Sequence, residues 1–216
     1  MIAPPERMPE RDAAIEAMLP HVPYDGWTKR ALKAGIRDAG MPADEADLLF
    51  PLGIVDMIET FADLADRRME EAAKDLLGGS LPERVKGVIA LRLEQNRPNK
   101  EAIRRALAIL SLPRNARAAA ACTARTVDAI LHAAGDHSAD FSWYTKRAIL
   151  AGIYSATILY WLRDTSEDDS ATLAFVDRRL SGLRRIGRIR RRAEEVLDRI
   201  PGARLFRPSR DVGDTA

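Results

Sequence analysis

Three histidines, His21, His132 and His137, and one cysteine, Cys122, are the side chains best suited to hold a metal or act as a nucleophile near neutral pH. Their spacing supports neither role. A zinc-protease pair needs two histidines one helical turn apart with a glutamate beside them, and a di-iron bundle repeats Glu-x-x-His; the chain has neither pattern. His132 and His137 flank a helix end at Gly135, where a histidine serves as a surface or capping group. No Gly-x-Ser-x-Gly elbow, Walker loop or dinucleotide fingerprint is present, so acyl transfer, nucleotide hydrolysis and pyridine-nucleotide redox have no motif. The expectation is a protein that is not an enzyme and needs neither metal nor cofactor. A lone cysteine cannot close an intrachain disulfide, which fits a reducing compartment.

Charge is more informative than catalytic chemistry. Over 216 residues, 34 Lys plus Arg against 32 Asp plus Glu leave +2. The segment from Arg178 to Arg192 holds eight arginines and no acid, so a total of +2 leaves −6 for the remainder. Within and beyond that strip, Leu180, Leu183, Ile186, Ile189, Ala193, Val196, Leu197 and Ile200 recur at spacings of three and four. An apolar helix face flanked by arginines suits the interface of an anionic membrane, where each basic residue contributes about 1 kcal/mol. A solvated terminal helix packed on its own domain, or a site of non-specific nucleic-acid attraction, has the same pattern. Gly182 and Gly187 weaken the helix and mark a hinge before an outlying segment.

Two further segments carry candidate binding chemistry. The longest stretch without a charge, Ala148 to Leu162, has 15 residues, against about 18 or more for a membrane span. It is apolar on every side, as in a central buried helix, the wall of an apolar ligand cavity or a dimer seam. Tyr154, Ser155, Thr157 and Tyr160 add the few polar atoms usual in a pocket for a mostly apolar ligand. Just ahead of it, Trp143 and Tyr144 point about 100° apart on a helix, so one aromatic faces solvent near Arg147. Exposed Trp, Tyr and Arg together make a protein-binding hot spot.

These residues must be positioned by helices. With 46% apolar and 31% charged residues the chain fills a core, and it fits one domain. Strand patterns are absent, whereas helical periodicity recurs throughout. Short helices are expected over Arg11–Leu19, stopped by Pro20 and Pro23, over Trp27–Ala39, closed by Gly40, and over Ala43–Phe50. Longer ones are expected from Leu52 to Leu77, from Pro82, from Pro98, over Asn115–Ala134 and over Ser142–Arg163. Thr165 with Asp168, and Ser166 with Asp169, have capping-box spacing and announce one more. The fold class is therefore all-α, with about nine helices. The first three have helix-turn-helix proportions. Between Met41 and Thr60, however, five acids (Asp44, Glu45, Asp47, Asp56, Glu59) stand without a lysine or arginine, which opposes approach to phosphates and argues against a nucleic-acid partner.

The segments HVPYDGWTKRALKAGIRDAG (His21 to Gly40) and DFSWYTKRAILAGIYSATILYWLRDTSEDDSATLAFVDRRL (Asp140 to Leu180) resemble the lipid-binding accessory family of ubiquinone (coenzyme Q) biosynthesis, and the likeness extends from about His21 to Arg185. The resemblance implies a tetracycline-repressor-like bundle that has lost DNA binding, a homodimer, and a cavity for isoprenoid quinone intermediates. It implies no chemistry of its own, but delivery of a precursor to the di-iron demethoxyubiquinone hydroxylase through a patch matching Trp143, Tyr144 and Arg147. The expected cavity wall is Phe61, Ile149, Ile153, Tyr154, Ile158 and Trp161, and the expected membrane contacts are Arg184, Arg185, Ile186, Arg188, Ile189 and Arg191. The implied domain layout is a disordered leader over 1–9, a degenerate helix-turn-helix headpiece over 10–51, and a lipid-binding domain over 52–185. A basic amphipathic membrane-contacting helix over 186–206 and a disordered tail over 207–216 complete it. Two departures from the family are visible: no mitochondrial targeting leader, which points to a bacterial cytoplasmic protein peripheral on the inner face of the membrane, and a C-terminal segment richer in arginine. The alternative reading is a repressor-type transcriptional regulator with a small apolar ligand.

Overall fold

Prolines, glycines and short polar side chains set the joints of an all-helical chain. The computed structural model describes residues 3–42, 44–76, 78–136 and 142–181, and no strand occurs among them. The chain divides into two units, Met1–Val176 and Asp177–Ala216. The hydrophobic core lies in the first.

The N-terminal helices are α1 (Pro9–Met18), α2 (Val22–Asp25), α3 (Lys29–Asp38) and α4 (Glu45–Leu49). α1 ends at Met18, just ahead of Pro20, and Pro20 and Pro23 sit second in a 3-10 turn (Leu19–His21) and in α2, where a missing N–H leaves no bond unmade. Gly26, at φ +71°, ends the run. Thr28 caps α3, its hydroxyl oxygen accepting from Ala31 N–H at 3.2 Å. Gly40, at φ +73°, closes it, with Met41 N–H donating back to Ile36 C=O at 3.0 Å.

The longer helices are α5 (Ile54–Ala72), α6 (Leu81–Gln95), α7 (Lys100–Leu110), α8 (Ala116–Ala133) and α9 (Ser142–Trp161), followed by α10 over residues 170–181. Ser80 and Glu83 form a capping box before α6. The start of α10 is built differently from the expected boxes. Asp164 accepts from Ser166 N–H and Thr172 N–H, both at 2.8 Å, while Asp168 and Asp169 take left-handed φ values of +52° and +55°. Burial pushes the Asp164 carboxyl up, but these bonds and those from the Ser166 and Thr172 hydroxyls outweigh it and hold it well below the usual carboxylate range.

The expected apolar stripe of α5 is buried: Met57, Ile58, Phe61, Leu64, Ala65 and Met69. It packs along α8, with α6 beside it, and one continuous core joins Ile15, Met18, Trp27, Leu32 and Ile36 to Phe61, Ala102 and Ala106. Trp27, fully enclosed ahead of α3, donates from Nε1 to Ala102 C=O at 2.9 Å. Periodicity did not anticipate that α5 also buries Asp56, Asp63 and Asp66. Asp56 pairs with buried Arg11 of α1, which also donates to Thr60 Oγ1 at 2.9 Å and lies over the Phe50 ring at 4.7 Å. Asp63 accepts from Arg7, within the segment expected as a leader, and from Arg67, which also holds Asp12 at 2.7 Å. Buried ions require such partners.

Candidate functional site

Facing stripes of α5 to α9 leave a cavity of about 320 Å³ between them. Ile58, Phe61 and Ala65 of α5, Leu93 of α6, and Ala106 and Leu110 of α7 supply most of its apolar wall, and α8 adds Ala119 and Cys122. From α9 come Tyr154, Ile158 and Trp161, at spacings of four and three that place them on one helix face. Ser155 and Leu159, the latter 60% exposed, belong to the same lining and open it to the surface.

One end of the cavity is polar. Arg92 of α6 is buried and donates from Nε to the Tyr154 hydroxyl at 2.8 Å. Its Nη1 meets Asp66 Oδ1 at 2.5 Å as an ionic contact without hydrogen-bond geometry, and Thr126 donates to Asp66 Oδ2 at 3.0 Å. Burial raises the Asp66 carboxyl to about 6, even though Arg92 and Thr126 draw it down. Burial also opposes the charge on Arg92, but Asp66 and Tyr154 more than offset it. Tyr154 is raised by the same burial. Cys122, also buried, has its thiol pushed up to about 11 by desolvation and is no nucleophile at neutral pH.

Of the residues expected at the cavity, Phe61, Tyr154, Ile158 and Trp161 come together on its lining. Ile153 is buried outside that lining, and Ile149 is exposed on α9. Arg92, Asp66 and Thr126 were not singled out from sequence, because isolated charges on amphipathic helices look like solvated ones until a partner helix covers them. Tyr144 is 75% exposed near the start of α9. Arg147 is turned back onto Asp128 of α8 in an ion pair. The side chain of Trp143 and residues Arg184, Arg185, Ile186, Arg188, Ile189 and Arg191 lie outside the described residues. Among the described residues, no group of three or more His, Cys, Asp or Glu could hold a metal ion, and no helix is long and apolar enough to cross a membrane.

α4 is short and acidic, with Glu45 and Asp47 in its first turn and no basic residue. Asp47 of α4 holds Lys29 at 2.5 Å and Lys33 at 3.6 Å, and those contacts lower its carboxyl pKa. Two of the five acids expected to repel phosphate are engaged elsewhere: Asp56 with Arg11, and Glu59 with Arg125 at 3.0 Å.

A family model described as COQ9 matches residues 116–187, a span that takes in α8 and α9. The mitochondrial ubiquinone biosynthesis protein coq9 of Schizosaccharomyces pombe is 37% identical over 179 residues, covering 82% of this chain and 70% of that one. The chain belongs to the COQ9 family. The mitochondrial COQ9 proteins of rat and human are 34% and 32% identical, each over 80% of this chain, which spans 58% and 57% of their lengths. Among solved structures, the TetR transcriptional regulator of Nitrosomonas europaea superposes with a TM-score of 0.65 at 23% identity, over 81% of this chain and 97% of that one. That likeness is one of fold. This COQ9-family chain is thus an all-α, TetR-like bundle, as its helix pattern implies.

Proposed function

We propose that this chain is a non-catalytic binding protein of ubiquinone biosynthesis that takes an isoprenoid quinone intermediate into the cavity between α5 and α9. The observation that carries the reading is the cavity itself: apolar on most sides, polar at one end, open beside Leu159, in a chain of the COQ9 family. At about 320 Å³ it is at the small end for ligand sites and accepts a ring with a short length of chain. The rest of an isoprenoid tail leaves past Leu159.

We further propose that the ligand is presented at an anionic membrane surface, on the inner face of the membrane in a cytoplasmic bacterial setting, to a di-iron demethoxyubiquinone hydroxylase. Tyr144 is an exposed anchor for that partner, with Trp143 and Arg147 beside it in sequence. The arginine-rich segment over 186–206, beyond a headpiece over 10–51 and a binding domain over 52–185, supplies the membrane contact. A homodimer is supported by the exposed small-residue stripe Ala148, Gly152 and Ser155 on α9. The test is organic extraction of the purified full chain and mass spectrometry of the extract, with vesicle flotation of the full chain and of a chain ending before Arg184. A co-purified isoprenoid quinone, and flotation lost on truncation, are expected. Extracts free of isoprenoid and phospholipid would overturn the reading. A repressor role has only the fold likeness behind it. With Lys29 and Lys33 paired to Asp47 and no basic residue on α4, a gel-shift assay should show no sequence-selective retardation.

A further inference from the structure

Two tryptophans are buried in the first unit, and the fold treats their indole nitrogens differently. Trp27 Nε1 has an acceptor, the Ala102 carbonyl at 2.9 Å. Trp161 is fully buried on the cavity lining, and its Nε1 has no acceptor among the described residues. A buried indole N–H without a partner carries its whole desolvation penalty, and buried indoles ordinarily find one. The ring is also held in place, because Lys100 Nζ lies 4.9 Å from its centroid. That ammonium is in turn anchored to Asp164 C=O at 2.9 Å and to Asp169 at 3.3 Å.

The other polar groups of the lining define what the missing partner is. The Tyr154 hydroxyl accepts from Arg92 and keeps its own hydrogen to give. Arg92 Nη1 has no directed acceptor, yet its charge is already balanced by Asp66, so an anionic head group would gain little there. Trp161 stands seven residues beyond Tyr154, about 10 Å along α9, so the two side chains mark separated points of a lining whose other polar members include Asn96, Ser111, Thr123 and Ser155.

We propose that Trp161 Nε1 donates a hydrogen bond to a neutral acceptor oxygen on the ring of the bound ligand, and so distinguishes a carbonyl- or ether-bearing ring from a plain hydrocarbon. The proposal rests on the cavity being a ligand site, and its test separates the two ideas. Binding of two probes with the same tail, a decyl-substituted dimethoxybenzoquinone and decylbenzene, is measured by calorimetry on the full chain and on Trp161→Phe. The full chain should prefer the quinone. Trp161→Phe should weaken the quinone about three- to tenfold, the loss of one hydrogen bond, and change decylbenzene less than about twofold. Equal weakening of both probes reduces Trp161 to packing and overturns the inference, as does no weakening of either. If neither probe binds the full chain, the cavity reading fails as well. Since Trp161→Phe changes a core residue, the unmodified chain supplies a second readout. The Trp161 indole N–H resonance should move downfield with the quinone and not with decylbenzene; the same movement with both, or with neither, overturns the proposal.

Discussion

Arg92 and Asp66 form a charged pair inside an apolar wall, which decides their energetics. Removing Arg92 leaves Asp66 buried without its balancing charge, so that the carboxyl must bind a proton or stay unpaired; Arg92→Met should destabilise by up to about 3–5 kcal/mol in a denaturant titration, and adding Asp66→Leu should recover much of it. The pair also makes stability depend on pH. Burial lifts Asp66 to about 6, against Arg92 and Thr126 and with Asp63 and Glu70 assisting, whereas the unfolded carboxyl titrates near 4. The native state therefore holds this proton more tightly than the unfolded chain does. That contribution is full below about pH 4 and is lost as pH rises through about 6. The stability of the natural chain relative to Asp66→Asn should accordingly fall by about 2 kcal/mol between pH 4 and pH 7; a difference independent of pH would contradict the assignment. Under the proposed docking, Tyr144→Ala should reduce capture of the hydroxylase about tenfold or more with helicity unchanged; undiminished capture would remove Tyr144 from the contact.

Helices meet closely where small residues let them, and α1 crossing α3 is the clearest case. A Cβ at Gly35 would lie 2.5 Å from backbone atoms of Ala17 and Met18, which cannot move aside as a flexible side chain would. Glycine inside a helix normally costs about 1 kcal/mol relative to alanine, so propensity alone predicts that Gly35→Ala stabilises. The crossing reverses the sign: Gly35→Ala should destabilise by about 1–3 kcal/mol, read from its denaturation midpoint. Gly152, inside α9, has open space where a Cβ would sit, so nothing among the described residues explains it. A second copy approaching that face would. Gly152→Arg should then turn a dimer into a monomer by light scattering while leaving its helicity unchanged; a dimer that persists would exclude this face.

At the scale of the whole chain, the net charge of +2 conceals the division that matters, an arginine strip near the C-terminus and a body of net −6. Part of that acidic body is internal: Asp56, Asp63 and Asp66 face inward from α5 to meet Arg11, Arg7 and Arg92. Helix type and approximate extent were legible because apolar spacing of three and four, prolines and closing glycines act locally. The wall residues Phe61, Tyr154, Ile158 and Trp161 were expected from the family resemblance rather than from spacing, which leaves core, cavity and dimer seam alike, whereas an acidic α4 was legible by composition. Tertiary structure alone decided which charges are buried, which of two tryptophans has an acceptor, and which glycine is a crossing point. Each depends on the groups that a distant helix brings within a few ångströms, and no spacing along one helix reports that.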